Sequence, residues 1–145
     1  MKIEYNNLYT HFVFTTWGRQ PIVSEQNRER IEKYITGIVS KNSSRLYAIY
    51  LNPEHVHFLI SRAADISEEE IASKIANSSE SFINQNKLAL APFRWQQSAS
   101  AFSVSKSDVD RVCQYILNQP EHHKKISLAE EYQQFLKYYQ ETLKK

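Results

Sequence analysis

Two histidines separated by one residue, His55 and His57, are the side chains in this sequence best suited to carry chemistry. They follow the turn-forming residues Asn52-Pro53-Glu54 and begin an apolar run that is typical of a β-strand. Since side chains alternate between the faces of a strand, both imidazoles would point to the same side. Such a pair can hold a divalent metal ion. For an isolated His-x-His motif, two solvated histidines on an edge strand are the simpler explanation.

A second pair of residues, Tyr115 and Gln119, would complete a metal site of this kind. They lie four residues apart in a segment with helical periodicity, which places them one turn above each other. A tyrosine hydroxyl, with a pKa of about 10, is a weak nucleophile at neutral pH. A metal ion held by His55, His57 and the Gln119 amide oxygen would polarise a phosphodiester while Tyr115 attacks it. The four residues together therefore predict phosphoryl transfer through a covalent phosphotyrosine.

Length and composition predict one domain that spans residues 1–145, with no repeat or linker segment. The single cysteine, Cys113, excludes an intramolecular disulfide and is typical of a reducing compartment. The apolar run near the N-terminus is too short to cross a bilayer, so we expect a cytoplasmic protein without a membrane segment. A formal net charge of +2 provides no strong basic field, so charge alone does not identify a nucleic-acid binder.

The order of the predicted elements indicates the fold. Patterns of alternation, helical spacing and capping residues predict strands at residues 8–16, 45–51, 55–61 and 101–105, and helices at about 25–42 and 68–87. The order strand, helix, strand, strand, helix, strand predicts an α+β fold of the ferredoxin-like or RRM-like type. Its antiparallel four-stranded sheet would have helices packed on one side. A short hairpin between the second and third strands would place the histidines at an accessible edge of the sheet.

Two further helices are predicted after the sheet, at about residues 107–119 and 127–143. They extend the chain beyond what a minimal ferredoxin-like fold requires. Pro120 disfavours helical geometry at the residue before it and would place Gln119 at the end of the first of these helices. His11, in the first strand, is interpreted as a polar residue that a neighbouring strand could bring close to the histidine pair.

At the level of whole motifs, the sequence resembles the single-tyrosine HUH transposases of the smallest bacterial insertion sequences and their relatives associated with repetitive extragenic palindromes. The resemblance covers nearly the whole chain. It rests on Pro53-Glu54-His55-Val56-His57-Phe58-Leu59-Ile60, Trp95-Gln96, Ala101-Phe102-Ser103-Val104-Ser105 and Tyr115-Ile116-Leu117-Asn118-Gln119-Pro120-Glu121-His122-His123. It implies that His55, His57 and Gln119 bind the metal and that Tyr115 becomes linked to the 5′ phosphate of cleaved single-stranded DNA.

The resemblance also implies a cofactor and partners. Histidine ligands alone would favour zinc, nickel or manganese, whereas magnesium prefers oxygen. The family pattern implies Mg²⁺ or Mn²⁺, with phosphate and water oxygens completing the coordination. It further implies that single-stranded DNA hairpins are the partners, and that the protein is a homodimer in which the tyrosine helix can complete the site of the other subunit.

One segment departs from the family pattern. Members usually have glycine, an aromatic residue and glycine before the Ala101 to Ser105 match, whereas this chain has Ser98, Ala99 and Ser100. Glycine allows backbone conformations that other residues resist. We therefore expect the replacement to affect DNA contact and the mobility of this loop. The residues of the predicted metal site are unchanged by it.

Candidate DNA contacts are six basic residues, with one tryptophan that could stack on a base. They are Arg19, Arg94, Trp95, Lys106, Arg111, Lys124 and Lys125. For each of them a solvated surface charge or a core indole is an equally good explanation.

Three functions remain to be compared. The leading hypothesis is a metal-dependent transposase that cleaves and rejoins single-stranded DNA near hairpins. The alternative is a non-catalytic protein of this fold that binds single-stranded or hairpin nucleic acid through aromatic residues on its sheet. A third is a metal-dependent phosphodiesterase that uses water and forms no covalent adduct.

Overall fold

An antiparallel four-stranded sheet is the centre of the fold. The computed structural model describes residues 1–123 and 126–143. The strands are β1 (Tyr9–Thr15), β2 (Arg45–Leu51), β3 (His55–Ser61) and β4 (Ser100–Val104). Their order across the sheet is β2–β3–β1–β4. This is the ferredoxin-like topology that the order of elements predicts, so the prediction of fold class is confirmed.

The histidine strand, β3, lies inside the sheet. It pairs with β1 along its whole length and with β2 on its other side. His55 and His57 are 0% and 2% exposed. The prediction of an accessible sheet edge was therefore wrong. The reason is that pairing between β1 and β3 joins segments far apart in sequence, which the short β2–β3 hairpin does not indicate.

One face of the sheet is covered by two long helices, α1 (Glu25–Lys41) and α2 (Glu68–Gln85). Val56, Phe58 and Ile60 of β3 are buried against them in a continuous apolar core. The helix α2 begins where the capping pattern predicts, because Ser67 Oγ accepts a hydrogen bond of 3.1 Å from the Glu70 N–H. This face has the alternating apolar residues expected of a sheet that packs on helices.

The opposite face of the sheet carries the C-terminal helices α3 (Val109–Leu117), α4 (Gln119–His123) and α5 (Leu128–Leu143). Ile116 packs here against Ala48, Leu59 and Val104 from three different strands. None of the helices in the described part of the chain is long and apolar enough to cross a membrane.

The helix predicted at about 107–119 is divided into three pieces. A 3₁₀ turn at Lys106–Asp108 precedes α3, and Asn118 separates α3 from α4. Gln119 therefore begins α4 instead of ending α3. The physical reason is Pro120, which lacks an N–H and suits the first turn of a helix, where no intrahelical acceptor is available.

Candidate active site

The three histidines His11, His55 and His57 lie on the sheet face that carries the C-terminal helices. In the β1–β3 ladder, Thr15 is opposite His55 and Val13 is opposite His57. His11 is two residues before Val13 and is therefore the diagonal neighbour of His57. Strand alternation thus brings the His11 imidazole next to the predicted pair. From the sequence, this position was only a possibility that depended on which strands were adjacent.

The turn between β2 and β3 is fixed by backbone hydrogen bonds. The Asn52 N–H donates to the His55 carbonyl at 2.7 Å, and the Thr16 N–H donates to the Glu54 carbonyl at 2.9 Å. The Leu51 N–H donates at 2.9 Å to the buried carboxylate of Glu32 on α1. These bonds hold the first residue of β3, and therefore the His55 ring, in a defined position.

Each histidine of the pair is held through its Nδ1 atom. His55 Nδ1 lies 2.8 Å from Glu54 Oε1, and His57 Nδ1 lies 3.0 Å from His11 Nε2. A partner on Nδ1 orients the ring and directs Nε2 away from it, as is common for histidines that bind metal ions. Both Nε2 atoms therefore face the same small region beneath α5.

Glu131, in the first turn of α5, completes this region. Its Oε1 atom lies 2.8 Å from His57 Nε2 and 3.5 Å from His55 Nε2. The candidate ligand atoms of His55, His57 and Glu131 all lie within 4.8 Å of one another, and Glu131 is only 3% exposed. Two imidazole nitrogens and a carboxylate oxygen are a donor set that suits a divalent metal ion.

Glu131 was not predicted from the sequence, although a signal was present. It lies three residues after Leu128 and one before Tyr132, so it borders the apolar face that these two residues form on the last helix. A glutamate on such a face needs a buried partner, because carboxylates are almost never fully buried unless they are paired. The partners, on β3, are more than 70 residues away in sequence, so local periodicity could not identify them.

Burial and hydrogen bonding shift the pKa values of two of the histidines in opposite directions. Burial lowers the pKa of His11 well below its usual range, and the neighbouring His57 lowers it further. Burial also acts to lower the pKa of His55. Hydrogen bonds to Glu131 and Glu54 outweigh that effect and raise the pKa of His55 above its usual value. His11 is therefore a neutral hydrogen-bonding partner, whereas His55 lies in an electronegative environment.

Gln119 reaches the site from the start of α4. Its side chain is fully buried, and its Oε1 accepts a hydrogen bond of 3.3 Å from Asn52 Nδ2. The same Asn52 Nδ2 lies 3.2 Å from His55 Nε2. Gln119 Nε2 also donates to the Tyr115 carbonyl at 3.5 Å. The structure therefore brings the Gln119 amide next to the histidine pair through Asn52, a residue that the sequence analysis treated only as part of a turn.

Tyr115 packs against the histidines of its own chain. Its ring centroid lies 5.7 Å from that of His57 and 6.4 Å from that of His11, with edge-to-face geometry in both cases. The ring is half-buried, at one side of the cluster formed by His55, His57 and Glu131. The structure thus brings together all four residues that were predicted to form the site.

The two tryptophans have different environments. Trp95 is 4% exposed, its Nε1–H donates to Ser79 Oγ at 3.0 Å, and it packs on Phe14. Trp95 is therefore a core indole, the alternative that the sequence left open, and its prediction as a stacking surface was wrong. Trp17 is 46% exposed, and the Arg94 guanidinium lies 4.0 Å from its ring centroid. Trp17 is therefore the exposed aromatic ring, and Arg94 covers one of its faces.

The remaining candidate DNA contacts are distributed over the surface. Lys106 and Arg111 are exposed, and Arg111 pairs with Asp108. Lys124 and Lys125 lie outside the described residues. Arg19 lines a recess of about 320 Å³. The other residues that line it are Thr15, Gln96, Ser98, Ala99, Ser100, Leu128 and Tyr132.

Two residues that line this recess are neighbours of cluster residues. Thr15 is opposite His55 in the ladder, and Tyr132 follows Glu131 on α5. The segment Ser98 to Ser100, where the chain departs from the glycine-rich family pattern, forms part of its wall. That segment therefore lines the recess and is not part of the cluster itself.

The fold and this cluster define a ferredoxin-like α+β protein with an imidazole and carboxylate cluster on one face of its sheet. Comparison with known proteins specifies the family. The profile described as "Transposase IS200 like" matches residues 4–119. The chain therefore belongs to the IS200-like transposase family, and it is an enzyme of the transposase class. The match includes the histidine pair, Tyr115 and Gln119, and it ends before Glu131.

Solved structures with a similar fold agree with this assignment. One is a proposed transposase from Deinococcus radiodurans R1, with a TM-score of 0.60 and 18% identity over 82% of this chain and 96% of that chain. Another is a REP-associated tyrosine transposase bound to a REP hairpin, with a TM-score of 0.60 and 15% identity over 87% of this chain and 74% of that chain. At these identities the likeness establishes the fold. No curated protein sequence matches this chain.

Proposed function

We propose that this transposase cleaves and rejoins single-stranded DNA at a site built from Tyr115, His55, His57 and Gln119. The observation that carries the proposal is the convergence of the two Nε2 atoms in a region against which the Tyr115 ring also packs. A water-dependent phosphodiesterase would not need a tyrosine at that position. The family membership of residues 4–119 supports the same reaction class.

Tyr115 is the nucleophile of the proposed reaction. Its hydroxyl oxygen attacks the phosphorus of a DNA phosphodiester, a bond forms between this oxygen and phosphorus, and the bond from phosphorus to the 3′ oxygen breaks. The tyrosine proton is lost and the departing 3′ oxygen gains a proton, so the products are a 5′-phosphotyrosine and a 3′ hydroxyl. The reverse attack by a 3′ hydroxyl rejoins DNA without an external energy source, since the phosphodiester energy is kept in the tyrosine ester.

The residues on this face suit a divalent metal ion, Mg²⁺ or Mn²⁺. When bound, such an ion polarises the phosphodiester and neutralises charge in the transition state. His55, His57 and Gln119 would hold it, while Glu54 and His11 keep the two imidazole rings oriented through Nδ1. Asn52 keeps the Gln119 amide oriented through its hydrogen bond to Oε1.

DNA would approach through the recess next to the site. Arg19 provides a positive charge for a phosphate there, and Trp17 with Arg94 provides an exposed stacking surface nearby. The hairpin-bound relative supports a DNA hairpin as the partner. Action on chromosomal DNA would place the protein in the bacterial cytoplasm, associated with the nucleoid, and we propose a homodimer as the active form.

The test is a denaturing gel of the purified protein with labelled single-stranded DNA hairpins from the flanks of its own gene. We expect a band that resists denaturation in Mg²⁺ or Mn²⁺, that disappears with chelator, and that is absent in Tyr115→Phe. Tyr34→Phe is the matched control, because Tyr34 of α1 stacks on Phe82 of α2, on the other face of the sheet from the site. A Tyr115→Phe protein that still forms the adduct would show that the nucleophile is wrong. Hairpin binding without any adduct in the wild type would identify a non-catalytic binding protein instead.

A mixture of two inactive variants then determines whether Tyr115 acts together with the histidines of its own chain or with those of a second subunit. The packing of Tyr115 on His57 of its own chain supports action within one chain. A mixture of Tyr115→Phe and His57→Gln should then remain inactive. Recovery of adduct formation in the mixture would show that Tyr115 completes the site of a second subunit.

A further inference from the structure

The carboxylate of Glu131 has a place in the histidine cluster that the family match does not assign. We propose that Glu131 is a ligand of the bound metal ion and that metal binding thereby fastens the helix α5 onto the sheet. This inference rests on the metal site of the proposed function. It goes beyond that function because Glu131 lies after residue 119, where the match to the family ends.

The first argument is the position of the carboxylate. Glu131 Oε1 lies between the two imidazoles, 2.8 Å from His57 Nε2 and 3.5 Å from His55 Nε2. These are the same nitrogen atoms that Glu54 and His11 leave facing the cluster. An ion that binds both Nε2 atoms would therefore meet this oxygen with little rearrangement of the backbone.

The second argument is burial. The structure has two buried glutamates among its described residues, Glu32 and Glu131. Glu32 is paired with the guanidinium of Arg28 at 3.0 Å, which compensates its charge, and it accepts a hydrogen bond from the Leu51 N–H, which joins α1 to β2. Glu131 instead faces the imidazoles of His55 and His57, and a divalent cation bound between these groups would place positive charge directly beside the buried carboxylate.

The third argument is the chemistry of the donor set. Imidazole nitrogens suit zinc, nickel and manganese, whereas carboxylate oxygens suit magnesium, calcium and manganese. Two imidazoles with a carboxylate and an amide oxygen form a mixed set that manganese accepts well. Glu131 also gives the site a formal negative charge, which two histidines and a glutamine do not provide.

The consequence for α5 follows from where Glu131 lies. It is in the first turn of Leu128–Leu143, where the Glu130 N–H bonds to Ser127 Oγ at 3.2 Å. A metal ion shared by β3 and α5 would join the two elements by coordinate bonds. We therefore expect metal binding to slow local opening of α5, a process that amide hydrogen exchange measures.

The experiment compares the variants Glu131→Gln and Glu130→Gln without DNA. Both remove one negative charge from the same helical turn, but the Glu130 side chain is exposed. Mn²⁺ affinity is measured by the electron paramagnetic resonance signal of the free ion. We expect Glu131→Gln to weaken Mn²⁺ binding by about 10- to 100-fold and Glu130→Gln to bind like the wild type. His57→Gln serves as the variant in which a ligand of the proposed site is removed.

Hydrogen exchange provides the second measurement. Mn²⁺ should slow exchange in α5 of the wild type and of Glu130→Gln, and it should have no such effect in Glu131→Gln. Wild-type Mn²⁺ affinity and α5 protection in Glu131→Gln, with binding lost in His57→Gln, would overturn the role of Glu131 and leave the proposed function intact. If the wild type itself binds no Mn²⁺, or if His57→Gln binds it normally, the proposed metal site fails as well.

Discussion

The two faces of the strand β3 differ in almost every property although their residues alternate along seven positions. Val56, Phe58 and Ile60 point to α1 and α2 and belong to an apolar core. His55 and His57 point to the C-terminal helices and belong to a hydrogen-bonded network of imidazoles, a carboxylate and amides. Both faces are buried. The difference lies in what the burial achieves. Val56, Phe58 and Ile60 contribute apolar packing, whereas His55 and His57 are polar groups held at fixed separations beside Leu59, which packs against Ile116.

This contrast shows how a small domain can carry a buried polar site. Burying imidazoles and a carboxylate is unfavourable unless they are hydrogen-bonded. The apolar face offsets that cost, since full burial of each large side chain contributes roughly 1.5–3 kcal/mol. The polar network in turn keeps His55 and His57 in defined orientations. Stability and chemistry are thus separated across a single strand, which gives experiments a direct way to break or sharpen the comparison.

The largest effects are expected from substitutions at adjacent positions of β3. Phe58→Ala should lower the free energy of unfolding by about 3–5 kcal/mol, because it leaves a cavity in the apolar core. His57→Gln should change that free energy much less, because a glutamine amide can still donate to Glu131. It should nevertheless abolish the covalent adduct with DNA. Urea unfolding and the denaturing gel measure the two effects.

The comparison fails if these two variants behave alike. A His57→Gln protein that unfolds as easily as Phe58→Ala would mean that the polar face also dominates stability. A Phe58→Ala protein that remains folded but loses Mn²⁺ binding would mean that the apolar face also determines the geometry of the site.

Substitutions of the two tryptophans should have intermediate effects. They compare an exposed ring, Trp17, with a buried one, Trp95. Trp17→Ala should weaken binding of single-stranded DNA by about 1–3 kcal/mol, because an exposed ring next to Arg94 can stack on a base. Trp95→Phe should leave DNA affinity unchanged and lower stability by about 1 kcal/mol, since the hydrogen bond to Ser79 is lost. Fluorescence anisotropy and thermal unfolding measure these quantities. Weaker DNA binding in Trp95→Phe than in Trp17→Ala would reverse the assignment of the two rings.

The smallest expected effect is the pH dependence of the free energy of unfolding of the metal-free protein. His11 has a lowered pKa, so the unfolded chain binds a proton below about pH 6.5 that the folded protein does not accept. Stability should therefore fall as the pH drops below 6.5, with a contribution from His11 of at most about 1.4 kcal/mol per pH unit. The raised pKa of His55 acts in the opposite direction, since its contribution is present at low pH and lost as the pH rises. The decline at low pH should be smaller in His11→Gln than in the wild type.

Urea unfolding of the protein in chelator, measured at several pH values, tests this prediction. Phe58→Ala is the control, because it lies on the apolar face and should keep the pH dependence of the wild type. Equal pH dependence in His11→Gln and the wild type would show that His11 does not titrate as its burial predicts.

Local patterns predicted much of the fold and part of the site. Strand alternation at residues 55–61 and helical periodicity elsewhere depend on neighbouring residues, so the sheet and its helices could be read from the sequence. The pairs His55/His57 and Tyr115/Gln119 were also local, and the structure brings both together. Their catalytic and metal-binding roles remain predictions.

The features that were missed depend on contacts between distant segments. The inner position of β3 follows from pairing with β1, whose residues are at least 40 positions away from their partners. Glu131 meets its partners on β3 only when α5 packs across the sheet. Trp17 and Trp95 differ in burial because Trp95 packs against Phe14 and Ser79. In each case the partner lies far away in the sequence, so local patterns could not identify it.

An irregularity in β2 has a consequence for how this family can change during evolution. Tyr47 is an extra residue in the ladder, since Leu46 pairs with Ile60 and Ala48 pairs with Leu59. This β-bulge absorbs one added residue while the rest of β2 keeps its orientation. A single insertion or deletion within β3 would instead exchange its two faces and bury imidazoles in the apolar core. Alignments of relatives should therefore contain length variation in the strand before the histidine motif and almost none within the motif strand.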